Sequence, residues 1–328
     1  MAVSYAIVVP TVGRPSLLRM LASLAGQSGG TPPAEIVVVD DRPGHAADLE
    51  VRVGRLRPRT LRSGGRGPAA ARNLGWQATG AEWVAFLDDD VELPPGWSEQ
   101  LVADLAGCGT DVAASQARIR VPLPHHRRPT DAERDTAKLA SAAWITADLA
   151  VRRAALDQMG GFDERFRRAY REDAEFALRL LGAGWRLARG ARVTVHPVRP
   201  AGEWASVKAQ AGNADDVLMR QLHGPGWRRA AAAPRGRLPG HLLTTGAAVA
   251  GLLARLAGAR RVAALCGLAW TVLNAEFTWR RIAPGPRTAA EVRRMLVTSI
   301  AIPPAAVGQR ILGHWRHRRA TRHLPERS

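Results

Sequence analysis

The run Trp83-Val84-Ala85-Phe86-Leu87, followed directly by Asp88-Asp89-Asp90, constrains this chain more than any other stretch. Five consecutive apolar residues read as a buried strand. Three adjacent carboxylates at its end repel one another and gain little from a protein interior unless positive charge sits beside them. A divalent cation carrying a diphosphate supplies that charge, because hard cations prefer carboxylate oxygens and accept phosphate as a co-ligand. A solvated acidic turn ahead of Pro94-Pro95 fits the same residues. What the rest of the chain builds around this strand end decides between the two.

The first hundred residues alternate strand and helix signals. Ala6–Val9 is an apolar, β-like run, and Leu17, Leu18, Leu21 and Leu24 follow at helical spacing behind Pro15-Ser16. Ile36-Val37-Val38-Val39 is a continuous β-branched run, as in parallel strands covered on both faces, and it ends at Asp40-Asp41. Residues 63–68 form a Gly-rich loop, Ala69 to Ala78 reads as a helix, and the strand before Asp88 comes next. This βαβαβ rhythm predicts an α/β chain with a doubly wound, mostly parallel sheet, whose ligands gather at the carboxyl ends of its strands. Asp40, Asp41 and Asp88 to Asp90 all fall at such ends, which favours a binding site over an acidic turn.

Composition adds bounds. With 328 residues and 46% hydrophobic content, the chain is predicted to fold around one large core or two smaller ones. The net charge of +18 is uneven: residues 1–234 carry +5 and residues 235–328 carry +13. Lys138 and Lys208 are the only lysines, so this is an arginine-rich chain. Cys108 and Cys266 argue against a disulfide framework and for a reducing compartment. The apolar run Tyr5–Val9 is too short for an export signal and stops at Pro10, so it reads as a first strand.

Further along, residues 120–136 hold three prolines, His125-His126 and Arg127-Arg128, and read as a mobile loop with solvent-exposed histidines. Asp173 to Leu181 places Phe176, Leu180 and Leu181 on one helical face and stops at Gly182 and Gly184. Arg192–Val195 is a short strand ending at His196-Pro197. No internal repeat is present, and composition changes near Pro234.

Six pieces in order resemble the inverting family 2 glycosyltransferases, enzymes of the GT-A fold: Val8-Val9-Pro10-Thr11, Val38-Val39-Asp40-Asp41, Gly67 through Ala71-Arg72-Asn73, Asp88-Asp89-Asp90, Gly160-Gly161-Phe162-Asp163, and Arg171-Glu172-Asp173. The resemblance covers about residues 3–200. It implies a GT-A-type sheet over residues 1–234, with residues 235–328 as a C-terminal helical extension. It implies a nucleotide-sugar pocket from Pro10, Thr11, Asp40, Asp41, Arg72, Asp88 and Asp89, with Asp88 towards the ribose. Asp90 then resembles the direct ligand of Mg²⁺ or Mn²⁺, and His196 a second protein ligand. The acceptor side falls to Trp144, Asp148, Gly161, Phe162 and Asp163. Relatives often carry Asn or another small polar residue where Asp148 stands, so this carboxylate either selects a polar acceptor or pairs with Arg152.

The implied chemistry needs these groups. Breaking a sugar–phosphate bond leaves a nucleoside diphosphate, whose growing charge a metal stabilises. The attacking hydroxyl must lose a proton on the opposite face of the sugar, so a carboxylate base is required within hydrogen-bond reach. Asp173 fills that role in the resemblance, with Glu172 orienting it or raising its pKa as a neighbouring like charge. A helix N-cap is the structural alternative for Asp173.

In the tail, residues 242–254 and 262–275 are uncharged runs separated by Arg255, Arg260 and Arg261, and 295–308 is a third, interrupted by Pro303-Pro304. Each is shorter than the roughly 20 apolar residues that span a bilayer. Clustered arginines beside short apolar helices suit peripheral attachment to an anionic membrane surface, at the inner face of the cell membrane, and an ordinary helical subdomain suits them equally. The setting this implies is cytoplasmic assembly of envelope polysaccharide or glycolipid on a saccharide or lipid-linked acceptor. A nucleotidyltransferase would share the acidic site, but only Thr11-Val12-Gly13-Arg14 stands where its Gly-rich signature belongs. A nucleic-acid-binding protein is the reading that charge alone suggests, and no recognition motif supports it; no nucleic acid is expected as a partner.

Overall fold

Seven strands make one mixed sheet: β1 (Tyr5–Thr11), β2 (Glu35–Asp40), β3 (Arg59–Arg62), β4 (Trp83–Leu87), β5 (Val112–Arg120), β6 (Asp148–Arg152) and β7 (Arg186–Val195), in the order β3-β2-β1-β4-β6-β5-β7. The structure is a computed structural model and describes residues 3–44 and 47–320. β1 runs parallel to β2 and β4, β2 to β3, and β5 to β7. β6 lies antiparallel to both β4 and β5. The first three strand ends of the acidic cluster, β1, β2 and β4, therefore open on the same edge.

The helices are α1 (Ser16–Ala25), α2 (Pro68–Gln77), α3 (Trp97–Ala106), α4 (Asp131–Ala137), α5 (Arg153–Met159) and α6 (Glu172–Gly182). Then come α7 (Ala205–Lys208), α8 (Gly212–His223), α9 (Trp227–Ala230), α10 (Leu238–Leu256), α11 (Arg260–Ile282) and α12 (Ala289–Arg316).

Successive strand side chains point to opposite faces, and both faces here are apolar. Ile7, Val9, Ala85 and Leu87 meet α1 and α3 through Leu17, Leu21, Trp97 and Leu101. Val8, Val37, Val39, Val84 and Phe86 meet the other layer through Trp76, Leu156, Phe162, Phe176 and Leu180. Each fully buried side chain of this size contributes about 1.5–3 kcal/mol. Gly75 sets how closely α2 lies on the sheet, since a Cβ there would stand 2.3 Å from Val8 Cγ1.

Two expectations are corrected. The end of the segment 120–136, read as mobile loop, belongs to α4, started by a capping box in which Thr130 accepts from Glu133 N–H and Glu133 accepts from the Thr130 N–H. His125 and His126 in the preceding segment are exposed. The second correction is Pro303-Pro304, which do not interrupt the third tail segment but lie inside α12. They remove two intrahelical donors, a cost of roughly 3 kcal/mol each. Burial of Met295, Ile302, Pro303 and Ala306 offsets it, together with close contact to α8, where a Cβ on Gly313 would stand 2.7 Å from Ala214 Cα.

The tail also docks through polar groups. Buried Arg281 donates to Thr298 Oγ1, Ser299 Oγ, Asp131 Oδ2 and Ser206 Oγ, while Asp131 N–H donates to Glu291 Oε1 at 2.8 Å. Cys108 and Cys266 are free thiols.

Candidate active site

Asp88, Asp90 and His196 converge, each offering one ligand atom, with those atoms within 4.8 Å of one another. Asp88 and Asp90 follow β4, and His196 follows β7, which reaches the same edge because Glu92 and Val195 exchange backbone hydrogen bonds of 2.8 and 3.0 Å. His196 Nδ1 lies 3.2 Å from the Pro197 carbonyl oxygen. A bare ring nitrogen has nothing to give a carbonyl, so this contact places the proton on Nδ1 and leaves Nε2, 3.6 Å from Asp90 Oδ1, free to ligate.

The residues fit a hard divalent cation. The donor set is two carboxylates and one imidazole, and Asp90 Oδ2 is buried without a hydrogen bond although Arg199 Nε lies 2.7 Å away. Burial raises the Asp90 pKa, Asp88 adds to the rise, and His196 and Arg199 oppose it. Arg199, three residues beyond His196, has no counterpart in the sequence reading.

Arg72 joins this cluster to α6. It is 2% exposed, and its two terminal nitrogens split between Glu172 Oε1 at 2.9 Å and Asp88 Oδ1 at 3.0 Å. Arg72, expected near the nucleotide or its phosphates, here bridges two acids, the buried Glu172 and the part-exposed Asp88. Glu172 Oε2 is buried with no partner. Burial, then the neighbouring Asp173 carboxylate, push the Glu172 pKa up to about 8 against the pull of Arg72. Burial also raises the pKa of Asp173, opposed first by the Ala174 N–H that donates to its Oδ1 at 2.7 Å.

Asp173 is not the helix cap. α6 begins at Glu172, and the cap position belongs to Arg171, a non-glycine residue at φ 78°. Such a conformation costs of order 1–3 kcal/mol and persists only where surroundings fix it. Here Arg171 donates to Asp216 on α8 at 3.0 Å and stacks on Tyr170 and Trp227. The first turn of α6 then carries Glu172, Asp173 and Glu175 at the positive end of the helix dipole.

The predicted nucleotide residues sit at the ends of β1, β2 and β4, but several are tied to each other. Thr11 Oγ1 donates to Asp89 Oδ2 at 2.6 Å, and Arg14 pairs with Asp89 Oδ1 at 2.9 Å, so Asp89 clamps the loop after β1. Pro10 precedes it on β1 and is half-buried. Asp40 takes a two-pronged contact from Arg42, whose hydrogen bonds hold the Asp40 carboxyl below its usual range. Asp41 accepts from Ser63 Oγ at 2.6 Å and from Gly67 N–H at 3.0 Å. Gly67 is required there, since a Cβ would stand 2.7 Å from the Arg167 carbonyl oxygen.

The acceptor-side set is mostly interior. Asp148, paired neither with Arg152 nor with solvent, is fully buried, and its oxygens take Arg192 Nε at 2.9 Å, Trp97 Nε1 at 2.7 Å and the Thr194 hydroxyl. Phe162 is 3% exposed and packs on Phe86 and Phe176. Asn73 clamps the backbone on both sides, giving Nδ2 to the Phe162 carbonyl and taking the Phe162 N–H, each at 2.8 Å. Gly161 lies against that amide; a Cβ would reach Asn73 Oδ1 at 2.3 Å. Asp163 is held by Arg165. Trp144 and Asp163 are the half-buried members of this group, and Trp144 stands at φ 62° with its N–H donating to Gln116.

Residues 6–167 match the family described as Glycosyl transferase family 2. Pre-mycofactocin glycosyltransferases from two strains of Mycobacterium tuberculosis are each 32% identical over 202 residues, covering 55% of this chain and 40% of the relative. The match thus spans about two fifths of those curated relatives. Among solved structures, the mannosyltransferase PcManGT from Pyrobaculum calidifontis, in complex with GDP-Man and Mn2+, aligns with a TM-score of 0.51 at 17% identity. That alignment covers 94% of this chain and 86% of the other, and it shows a shared GT-A-type fold.

Proposed function

Residues 6–167 belong to glycosyl transferase family 2, and from that membership we propose that this protein is an inverting, metal-assisted glycosyltransferase. It moves a sugar from a nucleotide-diphosphate-sugar to a hydroxyl of a saccharide or lipid-linked acceptor. One observation carries the reading: Arg72 ties the Asp88, Asp90 and His196 cluster to the Glu172-Asp173 pair, so a leaving-group site and a base share one buried link. A structural ion-pair network alone would not need Glu172 Oε2 buried without a partner.

Asp88, Asp90 and His196 would hold Mg²⁺ or Mn²⁺; the solved neighbour from Pyrobaculum calidifontis carries Mn2+ with its GDP-Man. Bound there, the ion acts as a Lewis acid on the departing diphosphate. Asp88 lies at the ribose side, and Thr11, Asp40, Asp41 and Asp89 shape the floor beneath the base by fixing the loops after β1 and β2. Asp173 accepts the proton of the attacking hydroxyl, and burial raises its pKa, which makes it a stronger base than a solvated carboxylate. Glu172 and Arg72 orient the turn that carries Asp173. Attack opposite the leaving group inverts the anomeric centre.

In this reading residues 1–234 are the catalytic domain. Residues 235–328 attach it to anionic lipid at the inner face of the cell membrane, where envelope polysaccharide or glycolipid would be assembled. Trp144 and Asp163 are the half-buried residues of the predicted acceptor set.

A panel of nucleotide-sugars with Mn²⁺ or Mg²⁺, scored by nucleoside diphosphate release, tests the function. One donor should be consumed, the release should stop with EDTA, and Asp90→Ala should abolish it. Release of pyrophosphate from a nucleoside triphosphate and a sugar phosphate, with every nucleotide-sugar left intact, would establish a nucleotidyltransferase instead.

A further inference from the structure

From residue 245 to residue 273, across most of α10 and α11, no side chain is buried. The two helices touch each other closely there, with a Cβ on Gly251 standing 3.2 Å from Cys266 Cβ. Beyond that contact their surfaces are apolar on every side: Leu252, Leu253 and Leu256 on α10, and Val262, Leu265 and Leu268 on α11 are all more than half exposed. A helix lying flat on a membrane needs a polar face opposite its apolar one. These helices have none, and a helix apolar all round belongs inside a core or a bilayer.

The charges fall only at the two ends of this hairpin. On α10 there is none between Arg237 and Arg255. On α11 there is none from Val262 to Ala275, and Glu276 beyond it pairs with Arg237 at 2.9 Å and with Arg280. At 1.5 Å per residue, Arg237 to Arg255 spans about 27 Å and Arg261 to Arg280 about 28 Å. Both match the ~30 Å hydrocarbon thickness of a bilayer, and arginine side chains reach outward from each end. Trp279, under the Arg287 guanidinium at 5.7 Å, marks the base with the aromatic–cation pairing common at membrane interfaces. By mean composition α11 and α12 are long and apolar enough to cross a bilayer, while α10 is less apolar and its case rests on its charge-free length; α12 keeps one face buried against α8.

We propose that α10–α11 is a membrane-spanning helical hairpin. Arg255, Arg260 and Arg261 at its tip lie in the headgroups of the far leaflet, and Arg237 and Arg280 lie in those of the near leaflet. This deepens the membrane attachment proposed above and replaces peripheral contact with insertion through both leaflets. The uncharged runs taken one at a time are short; what fits is the arginine-to-arginine spacing, nearly the same on both helices, with Glu276 inside the α11 span neutralised by Arg237 and Arg280. The base side carries more arginine, with Arg287, Arg293 and Arg294 close by in sequence, so the catalytic domain stays on the cytoplasmic face.

The test uses full-length protein in sealed membrane vesicles, with Cys108→Ser and Cys266→Ala as background. Ala257→Cys places a thiol at the hairpin tip and Ser28→Cys one on the catalytic domain. A membrane-impermeant maleimide should label the two from opposite sides, and carbonate washing should leave the protein in the membrane. Labelling of both from one side, or release by carbonate, would overturn the proposal in favour of surface attachment. A protein that is monodisperse in detergent-free buffer as a defined oligomer, with the tip thiol protected, would overturn it in favour of a protein partner. None of these readouts depends on glycosyl transfer, so a failure here leaves the catalytic reading standing.

Discussion

Replacing Asp148 with asparagine tests whether this carboxylate is an internal strut or an acceptor contact. Asp148 and Arg192 are both fully buried, joined through Arg192 Nε at 2.9 Å and Nη2 at 2.8 Å. Asp148 Oδ2 also takes Trp97 Nε1 at 2.7 Å and the Thr194 hydroxyl, so both oxygens are occupied. Breaking a buried pair by neutralising one partner costs about 3–5 kcal/mol, because the other charge stays behind. Arg192 keeps Asp104 at 3.0 Å and the Ser115 carbonyl at 2.7 Å, which puts the Asp148→Asn cost near the lower end, about 3 kcal/mol. For a domain of this size that is a fall in Tm of about 6–12 °C. Thermal unfolding followed by circular dichroism measures it. KM for donor and acceptor should stay within about twofold of the wild-type value, since the side chain touches neither. An unchanged Tm with an acceptor KM raised roughly tenfold would refute the reasoning and return Asp148 to the acceptor site.

Asp215 gives a pH signature. Burial pushes its pKa up to about 6, and its Oδ2 is buried without a hydrogen bond, with Arg168 no nearer than 4.0 Å. The native state therefore holds this proton more tightly than the unfolded chain, and stability is lost as pH rises from about 4 to about 6 and stays lost above it. Asp215→Asn removes that penalty, of order 2–3 kcal/mol, so its Tm should exceed wild type at pH 7.5 and converge with it near pH 4. Arg199→Ala should tighten Mn²⁺ binding without donor by about twofold to fivefold, as Arg199 no longer competes for Asp90; a manganese titration by electron paramagnetic resonance reads this directly. Gly161→Ala should lower Tm, because the added methyl meets Asn73 Oδ1 at 2.3 Å and the residue sits at φ 78°.

The parts of this fold that were legible in the sequence are those whose own residues dictate them. β2 and β4 are continuous apolar runs buried on both faces, and the carboxylates behind them could only fall at strand ends. β5, by contrast, reads Val-Ala-Ala-Ser-Gln-Ala-Arg-Ile-Arg, with little β-branched content, and becomes a strand by pairing with β6 and β7. α4 did have a local signal, Thr130 with Glu133 three residues on, outweighed in the reading by three prolines nearby. In the site, residue types were legible and partners were not. Nothing local says that Asp148 meets Arg192 across 44 residues, or that Arg72 reaches Glu172 across 100. The motif places Phe162 on the acceptor side, and the structure packs its ring on Phe86 and Phe176 and holds its backbone with Asn73. The Gly-Gly-Phe-Asp segment is thus held by Asn73 of α2 and by two buried aromatic rings.

Asp173→Asn tests the central claim most directly, with donor affinity and turnover measured on the same preparation. The substitution keeps size and the Ala174 N–H contact while removing the capacity to take a proton. Turnover should fall by roughly 10²–10⁴-fold, the range for loss of a general base, while donor affinity with Mn²⁺ stays within about twofold. Full turnover in Asp173→Asn, with donor binding intact, would contradict the assignment of the base and with it the mechanism.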